Sequence, residues 1–295
     1  MDAVEALAEV LPVRRQAVAA EVALEVTDVA VSFGGIAALN AVSAQVNTYE
    51  VAAIVGPNGA GKTTLLNAVS GLLDTKVRGN IVLYGQRING MHATRIARLG
   101  LGRSFQHPPL LEEQTVVENI LLASNLHLPF GLPGQMFTPW RAHRLERAER
   151  ERALALLDFV GLSAMAGKQA SGLSYGSRKL VDIIRAIFLS PTLLALDEPT
   201  SGLDFHEQET VVELIQKLAA MRRMTLLLVE HHMDIVRSCA SQVLGMQAGR
   251  VIASGTPTEV FESEVYRQAV VGTQRDDDAI EDLTGPARRP AKKVS

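Results

Sequence analysis

Residues 56 to 63 read Gly-Pro-Asn-Gly-Ala-Gly-Lys-Thr, a combination of residue types that suits phosphate binding. Three glycines let the backbone curl so that successive N–H groups point inward at an anion, and a following helix adds positive potential from its N-terminus. A lysine at the end of such a loop neutralises phosphate charge, and a threonine hydroxyl takes one coordination position on Mg²⁺. The spacing therefore predicts a nucleotide site.

The predicted phosphate contacts are Gly56, Pro57, Asn58, Gly59, Ala60, Gly61, Lys62, Thr63 and Thr64. We expect Lys62 at the β- and γ-phosphates, Thr63 at Mg²⁺ and Thr64 at the α-phosphate. The loop follows the apolar run 51–55 and opens onto residues 64–68, which predicts the strand, loop and helix that this motif requires.

Two adjacent carboxylates, Asp197 and Glu198, end the apolar run that begins at residue 191. Carboxyl ends of parallel strands meet at one edge of a sheet, so we expect both side chains beside the phosphate loop. Asp197 is predicted to hold Mg²⁺ through water, and Glu198 to accept a proton from the attacking water. The alternative is a strand-end turn with two solvated acids.

A further buried-strand pattern, residues 225–230, delivers His231 and His232 to the same edge. One of the two is expected to face the γ-phosphate. A metal-binding pair is disfavoured because adjacent side chains point apart on an extended chain and no cysteine or third histidine lies nearby in the sequence.

For two other segments the spacing leaves alternatives open. Gln106 either orients a water or lies in a turn before two prolines. The segment 174–176 also has a simple structural interpretation, since Ser174 could be the N-cap of an amphipathic helix.

The composition is that of a globular chain of one or two domains, with 295 residues, 47% of them hydrophobic, and a net charge of −3. This charge gives no general attraction to nucleic acid, and the acids among the arginines of residues 141–152 predict a salt-bridged helix surface instead. No apolar stretch approaches the roughly 20 residues that span a bilayer. Residues 1–21 are predicted to be an N-terminal extension, and residues 273–295 a disordered charged tail.

In their order along the chain, five separated motifs resemble those of the ATP-binding subunit of ABC transporters over residues 22–272. They are the phosphate loop with Gln106, residues 173–176, 197–198, 201–204 and 230–231. The resemblance implies an α/β fold of the P-loop NTPase type, with an antiparallel β subdomain and a helical subdomain at about residues 107–187. It also implies ATP and Mg²⁺ as cofactors and hydrolysis of ATP to ADP and phosphate.

The resemblance further implies a dimer in which each ATP lies between one phosphate loop and the partner's 173–176 segment. Ser174 and Gly176 would bind the γ-phosphate across the interface, and Asp204 would contact the other subunit. Glu198 would be the general base, His231 the γ-phosphate switch, and Gln106 the residue at Mg²⁺ that links the site to membrane subunits. Phe33 would stack on adenine, with a buried strand phenylalanine as the alternative.

The chain departs from the usual Leu-Ser-Gly-Gly-Gln signature at Tyr175 and Ser177, which we expect to tune turnover rather than abolish it.

Residues 33–40, 104–107 and 230–233, with an insertion at 126–134, are most similar to branched-chain amino acid importer ATPases. That branch implies permease subunits, a second identical or related ATPase subunit and a substrate-binding protein as partners, at the cytoplasmic face of the inner membrane. Urea and other amides, or aromatic acids, are substrates of near relatives.

The alternative to a transporter subunit is a soluble regulatory ATPase whose ATP-dependent dimer acts as a switch. A small-molecule phosphotransferase would need an acceptor pocket, which no motif marks.

Overall fold

A computed structural model describes residues 20–123 and 139–270, together with residues 7, 10 and 11. The predictions for the insertion at 126–134 and for the tail at 273–295 lie outside the described residues. In chain order the elements are β1 (Val22–Phe33), β2 (Ile36–Asn47), β3 (Val51–Val55), α1 (Lys62–Val69), β4 (Arg78–Leu83), β5 (Gln86–Arg87), α2 (Ala93–Arg98), β6 (Leu101–Arg103), α3 (Val116–Leu121), α4 (Pro139–Phe159), α5 (Tyr175–Phe188), β7 (Leu193–Asp197), α6 (Phe205–Ala220), β8 (Thr225–Val229), α7 (Met233–Cys239), β9 (Gln242–Gln247), β10 (Arg250–Gly255) and α8 (Pro257–Glu262).

The central sheet has six strands in the order β10-β9-β3-β8-β7-β6, of which all but β10 pair in parallel. Every residue of β3, β7 and β8 is buried. Both faces of these strands are covered, which is why they are continuous apolar runs rather than alternating ones. The α/β class predicted from the sequence is confirmed.

A second sheet of four antiparallel strands, in the order β2-β1-β4-β5, packs on one side of the central sheet. Alternate residues of β3 face opposite sides because successive strand side chains point apart. Ala52 and Ile54 belong to a core with β1, β2, β4 and α1, whereas Ala53 and Val55 belong to a core with α3, α4, α5 and α6. The central sheet is thus the middle layer of three.

Parallel pairing brings the ends of neighbouring strands to one level. Ile54 and Asp197 are both registered with Val229, the last residue of β8. The segments that follow β3, β7 and β8 therefore leave the sheet at one edge. These three segments carry the phosphate loop, Glu198 and the two histidines, so the topology gathers the predicted site.

The predicted N-terminal extension contributes to the core. Leu7 and Leu11 are buried within the helix-side cluster, and the Leu11 N–H donates to the Leu7 carbonyl as in one turn of helix. The sequence did not predict this packing, because the pattern of residues before position 20 does not indicate which distant residues they contact. Among the described helices, none has the length and apolar character that crossing a membrane would require.

Candidate functional site

A cavity of about 280 Å³ opens at the edge of the central sheet, in front of the phosphate loop. Its lining consists of Ala38, Asn58, Gly59, Ala60, Gly61, Lys62, Thr63, Thr64, Gln106 and Glu198. The fold thus brings seven residues of the loop and its helix together with two residues that lie far away in sequence. Ala38, at the start of β2, was not predicted.

The loop needs glycine at its two ends because of both conformation and packing. Gly56 has φ 149° and Gly61, the N-cap of α1, has φ 98°. A Cβ at Gly56 would overlap the backbone carbonyl of Met246, and one at Gly61 would lie 2.7 Å from the carbonyl oxygen of Ala38. The loop is therefore pressed against β9 and β2, and this contact holds the N-terminus of α1 open toward the cavity.

Lys62 is the cation of the cavity. Its ammonium is nearly buried and donates to the carbonyls of Gly56 at 2.8 Å and Pro57 at 3.0 Å. Burial lowers the pKa of Lys62, while Glu198 and Asp197 act in the opposite direction. An ammonium carries three hydrogens, so these two bonds leave one for a phosphate oxygen.

Glu198 turns away from the strand that precedes it. β7 ends at Asp197, and the Glu198 N–H donates to the Val229 carbonyl at 2.9 Å. Glu198 has φ 47°, a left-handed conformation that costs a residue with a side chain about 1–2 kcal/mol. This turn places its carboxylate in the cavity, where Oε2 accepts a hydrogen bond from Gln106 Nε2 at 2.9 Å. Backbone strain of this kind is common at functional sites.

Asp197 is held by a buried ion pair. Its Oδ2 lies 3.0 Å from Arg103 Nη2, and the two side chains are 2% and 6% exposed. Arg103 also donates to Ser70 Oγ at 3.1 Å and lies 5.0 Å from the centre of the Phe105 ring. Burial raises the pKa of Asp197, and Arg103 opposes that rise.

The second oxygen of that carboxylate suits a hydrated cation. In the part of the chain that the structure describes, Asp197 Oδ1 is buried without a hydrogen-bond partner. A hard oxygen donor that is oriented from behind and otherwise unsatisfied fits Mg²⁺ or its bound water, and Thr63 lines the adjoining cavity. No group of three or more His, Cys, Asp or Glu side chains that could hold a metal occurs among the described residues.

The two histidines do not point apart as predicted. The ring centres of His231 and His232 lie 4.4 Å apart with a tilt of 36°. β8 ends at Val229 and α7 begins at Met233, so both histidines lie in the connection rather than on an extended strand. They are exposed, and the described lining of the cavity includes neither of them.

Ser174, Gly176 and Asp204 lie outside that lining as well. Ser174 is the N-cap of α5, where its Oγ accepts from the Ser177 N–H at 3.2 Å, and a Cβ at Gly176 would overlap the Glu207 carboxylate. Asp204 is the N-cap of α6, with a reciprocal capping box to Glu207. The N-termini of the two helices thus form a second polar surface of the chain.

Phe33 ends β1 and is 46% exposed, so it is not the buried strand phenylalanine of the alternative interpretation. Its partner across the hairpin is Ile36. An exposed ring at a strand end is available for stacking.

The roles of three charged residues were not predicted. Arg103 pairs with Asp197, Lys179 donates to the Ser201 carbonyl at 3.0 Å, and Glu230 accepts from the Thr200 N–H at 3.1 Å and the Thr200 hydroxyl at 2.6 Å. Lys179 and Glu230 are almost completely buried. A charge within or directly after an apolar segment is the signal that could have revealed them, because buried charges require partners.

Residues 39–201 match the protein family described as ABC transporter. The chain is 36% identical over 249 residues to the high-affinity branched-chain amino acid transport ATP-binding protein BraF of Pseudomonas aeruginosa, covering 84% of this chain and 97% of BraF. It is also 36% identical over 250 residues to LivG of Escherichia coli, a protein of the same description, with the same coverage.

Solved structures are similar over a comparable length. One is a nucleotide-free ATP-binding cassette from an ABC transporter, with a TM-score of 0.68 and 30% identity over 90% of this chain and 99% of the other. Another is cbiO1 of Clostridium perfringens, part of the transporter complex cbiONQ, with a TM-score of 0.67 and 28% identity over 88% and 99% of the two chains.

Proposed function

This chain belongs to the ABC transporter family, as an ATP-binding subunit that hydrolyses ATP, and we propose that it powers the import of branched-chain or other hydrophobic amino acids. Support for the substrate class comes from BraF and LivG, which the chain matches over nearly their whole length. Support for the chemistry comes from one observation above all, namely that Gln106 and Glu198 are hydrogen-bonded to each other inside the phosphate-loop cavity.

In the proposed reaction, Glu198 takes the proton of the water that attacks the γ-phosphate, and Gln106 orients that water. Lys62 neutralises charge on the β- and γ-phosphates, and the N–H groups of residues 58–64 hold the rest of the phosphate chain. Phe33 stacks on the adenine. These groups act by positioning and charge stabilisation, which supply most of the catalysis in phosphoryl transfer.

Mg²⁺ would be held by the Thr63 hydroxyl, by Gln106 and, through water, by the unpartnered Asp197 Oδ1. When bound, the ion neutralises negative charge on the phosphates. Arg103 would fix Asp197 Oδ2 by their ion pair, while Oδ1 of the same carboxylate remains available.

We propose that two such subunits, identical or related, enclose the nucleotides between them. Ser174 and Gly176, at the N-terminus of α5, meet the γ-phosphate of the other subunit's ATP, and Asp204 contacts the other subunit. His231 reaches the γ-phosphate in that closed state. Two observations support this arrangement: Ser174, Gly176 and Asp204 do not line the chain's own cavity, and His231 lies on the connection that leaves the same sheet edge as Glu198.

The partners in this proposal are permease subunits of an ABC transporter, with a substrate-binding protein of the same system, and the subunit is peripheral on the cytoplasmic face of the inner membrane. Residues 22–272 form the ATP-binding domain, and its helical part at about 107–187 docks the permease near Gln106. ATP closes the dimer and hydrolysis reopens it, which moves the permease.

The proposal is tested by identifying the chains that co-purify with a Glu198→Gln variant from membranes solubilised with ATP and Mg²⁺. We expect multi-span permease chains, because the variant keeps its nucleotide and stays closed. A Lys62→Ala variant that cannot hold nucleotide is the matched control and should recover fewer ATP-dependent partners. Recovery of soluble partners alone would favour the regulatory switch over a transporter.

A further inference from the structure

We propose that Tyr175 is a positioning residue that holds Gln106 against Glu198 within the same chain. The tyrosine stands where the usual signature of the family has a glycine, which carries no side chain. The inference rests on the proposed role of Glu198 as the base, and it assigns to this chain a link that an unmodified signature could not form.

Two hydrogen bonds in series make the link. The Tyr175 hydroxyl donates to the backbone carbonyl of Gln106 at 3.0 Å, across 69 positions of sequence. The side chain of the same Gln106 donates through Nε2 to Glu198 Oε2 at 2.9 Å. The first bond fixes the backbone of Gln106, and the second depends on where that backbone stands.

The ring of Tyr175 is held in place by the turn at Gly202 and by Lys179. A Cβ at Gly202 would lie 3.0 Å from the ring, so the ring rests on the turn at that glycine. The Lys179 ammonium lies 5.6 Å from the ring centre and donates to the Ser201 carbonyl at 3.0 Å, which holds the same turn. Lys179 is 1% exposed, so the support beneath the ring is part of the buried interior.

The phenol can act as a donor throughout the physiological pH range. Burial raises the pKa of Tyr175, and the negative charge of Glu198 raises it further. The hydroxyl therefore keeps its proton and can donate to the Gln106 carbonyl at physiological pH.

The position of Tyr175 gives this link a second consequence. It is the first residue of α5, between Ser174 and Gly176, which are proposed to meet the nucleotide of the other subunit. Closure at that nucleotide would be transmitted through Tyr175 to Gln106 and so to Glu198. One side chain would connect the surface that serves the partner's ATP with the base that serves the chain's own.

The test is a double-mutant cycle on the full chain with Mg-ATP, combining Tyr175→Phe and Gln106→Ala. Tyr175→Phe keeps the ring on the turn and removes only the hydroxyl. We expect kcat to fall about three- to tenfold, as the loss of one hydrogen bond allows, with the KM for ATP unchanged. In the Gln106→Ala background the same change should leave kcat where it is, because Tyr175 has no amide left to position.

Tyr84→Phe is the matched control, since the Tyr84 hydroxyl donates to the Thr192 carbonyl at 2.6 Å, outside the residues that line the cavity. It should leave kcat and KM unchanged. Amide hydrogen exchange gives a second readout that needs no turnover: Tyr175→Phe should speed exchange across residues 104–107, and Tyr84→Phe should not.

Equal effects of Tyr175→Phe in the two backgrounds, or an unchanged kcat with unchanged exchange, would overturn the inference. Failure of the underlying assignment looks different. If Glu198 is not the base, Glu198→Gln retains hydrolysis, whereas the coupling between Tyr175 and Gln106 is measured without reference to that variant.

Discussion

Arg103→Met is expected to destabilise the protein by about 3–5 kcal/mol. The Arg103–Asp197 pair is 3.0 Å long and both side chains are almost fully buried. At an effective dielectric constant of about 20, two unit charges at this distance attract each other by about 5 kcal/mol, most of which offsets the desolvation of both groups. Removing Arg103 leaves the Asp197 carboxylate buried, and the desolvation penalty of that carboxylate is no longer offset by the attraction of the pair.

The assay is equilibrium unfolding in urea, followed by circular dichroism, without nucleotide. Arg147→Met is the matched control because its pair with Glu151 also measures 3.0 Å but is 83% and 65% exposed. Solvent screens such a pair, and the control should stay within about 0.5 kcal/mol of wild type. Because the two ion pairs have the same length and differ in burial, the difference in stability between the two variants measures the contribution of burial.

A double-mutant cycle with Asp197→Asn decides whether the pair is the cause. We expect the double variant to be more stable than the sum of the two single losses predicts, by at least about 2 kcal/mol. Equal losses of stability in Arg103→Met and Arg147→Met, or losses at Arg103 and Asp197 that simply add, would show that the buried pair is not the cause.

The remaining predictions concern the glycines of the phosphate loop and are measured by the same unfolding assay. Gly56→Ala should cost at least about 3 kcal/mol, because its Cβ overlaps the Met246 carbonyl and neither backbone can move freely. Gly59→Ala should cost only about 1–2 kcal/mol, since its φ of 76° is left-handed but no atom lies within 4 Å of the added Cβ. A Gly56→Ala variant as stable as Gly59→Ala would contradict the close packing of the loop on β9.

Much of the fold could be predicted because parallel strands covered on both faces leave a clear mark on the sequence. The runs that became β3, β7 and β8 are short and apolar, and each ends at a glycine or a charged residue. Once the strands are known, the rule that carboxyl ends share an edge gathers the phosphate loop, Asp197 and Glu198.

Details of the site depended on contacts between distant residues, which periodicity does not encode. Arg103 and Asp197 lie 94 positions apart, and Tyr175 and Gln106 lie 69 apart. The left-handed turn at Glu198 could not be anticipated either, because glutamate has no preference for it and the accompanying bond from its N–H reaches Val229, which is distant in sequence. The error on the histidine pair has a simple cause: the strand pattern was extended past the point at which β8 ends.

The rate of ATP hydrolysis by the Glu198→Gln chain decides whether Glu198 is the base in this cavity. The variant keeps the shape of the side chain and loses its capacity to accept a proton. We expect Mg-ATP still to be bound, as measured by direct titration, while hydrolysis falls by at least about a hundredfold. Hydrolysis at the wild-type rate with full nucleotide occupancy would contradict that role for Glu198.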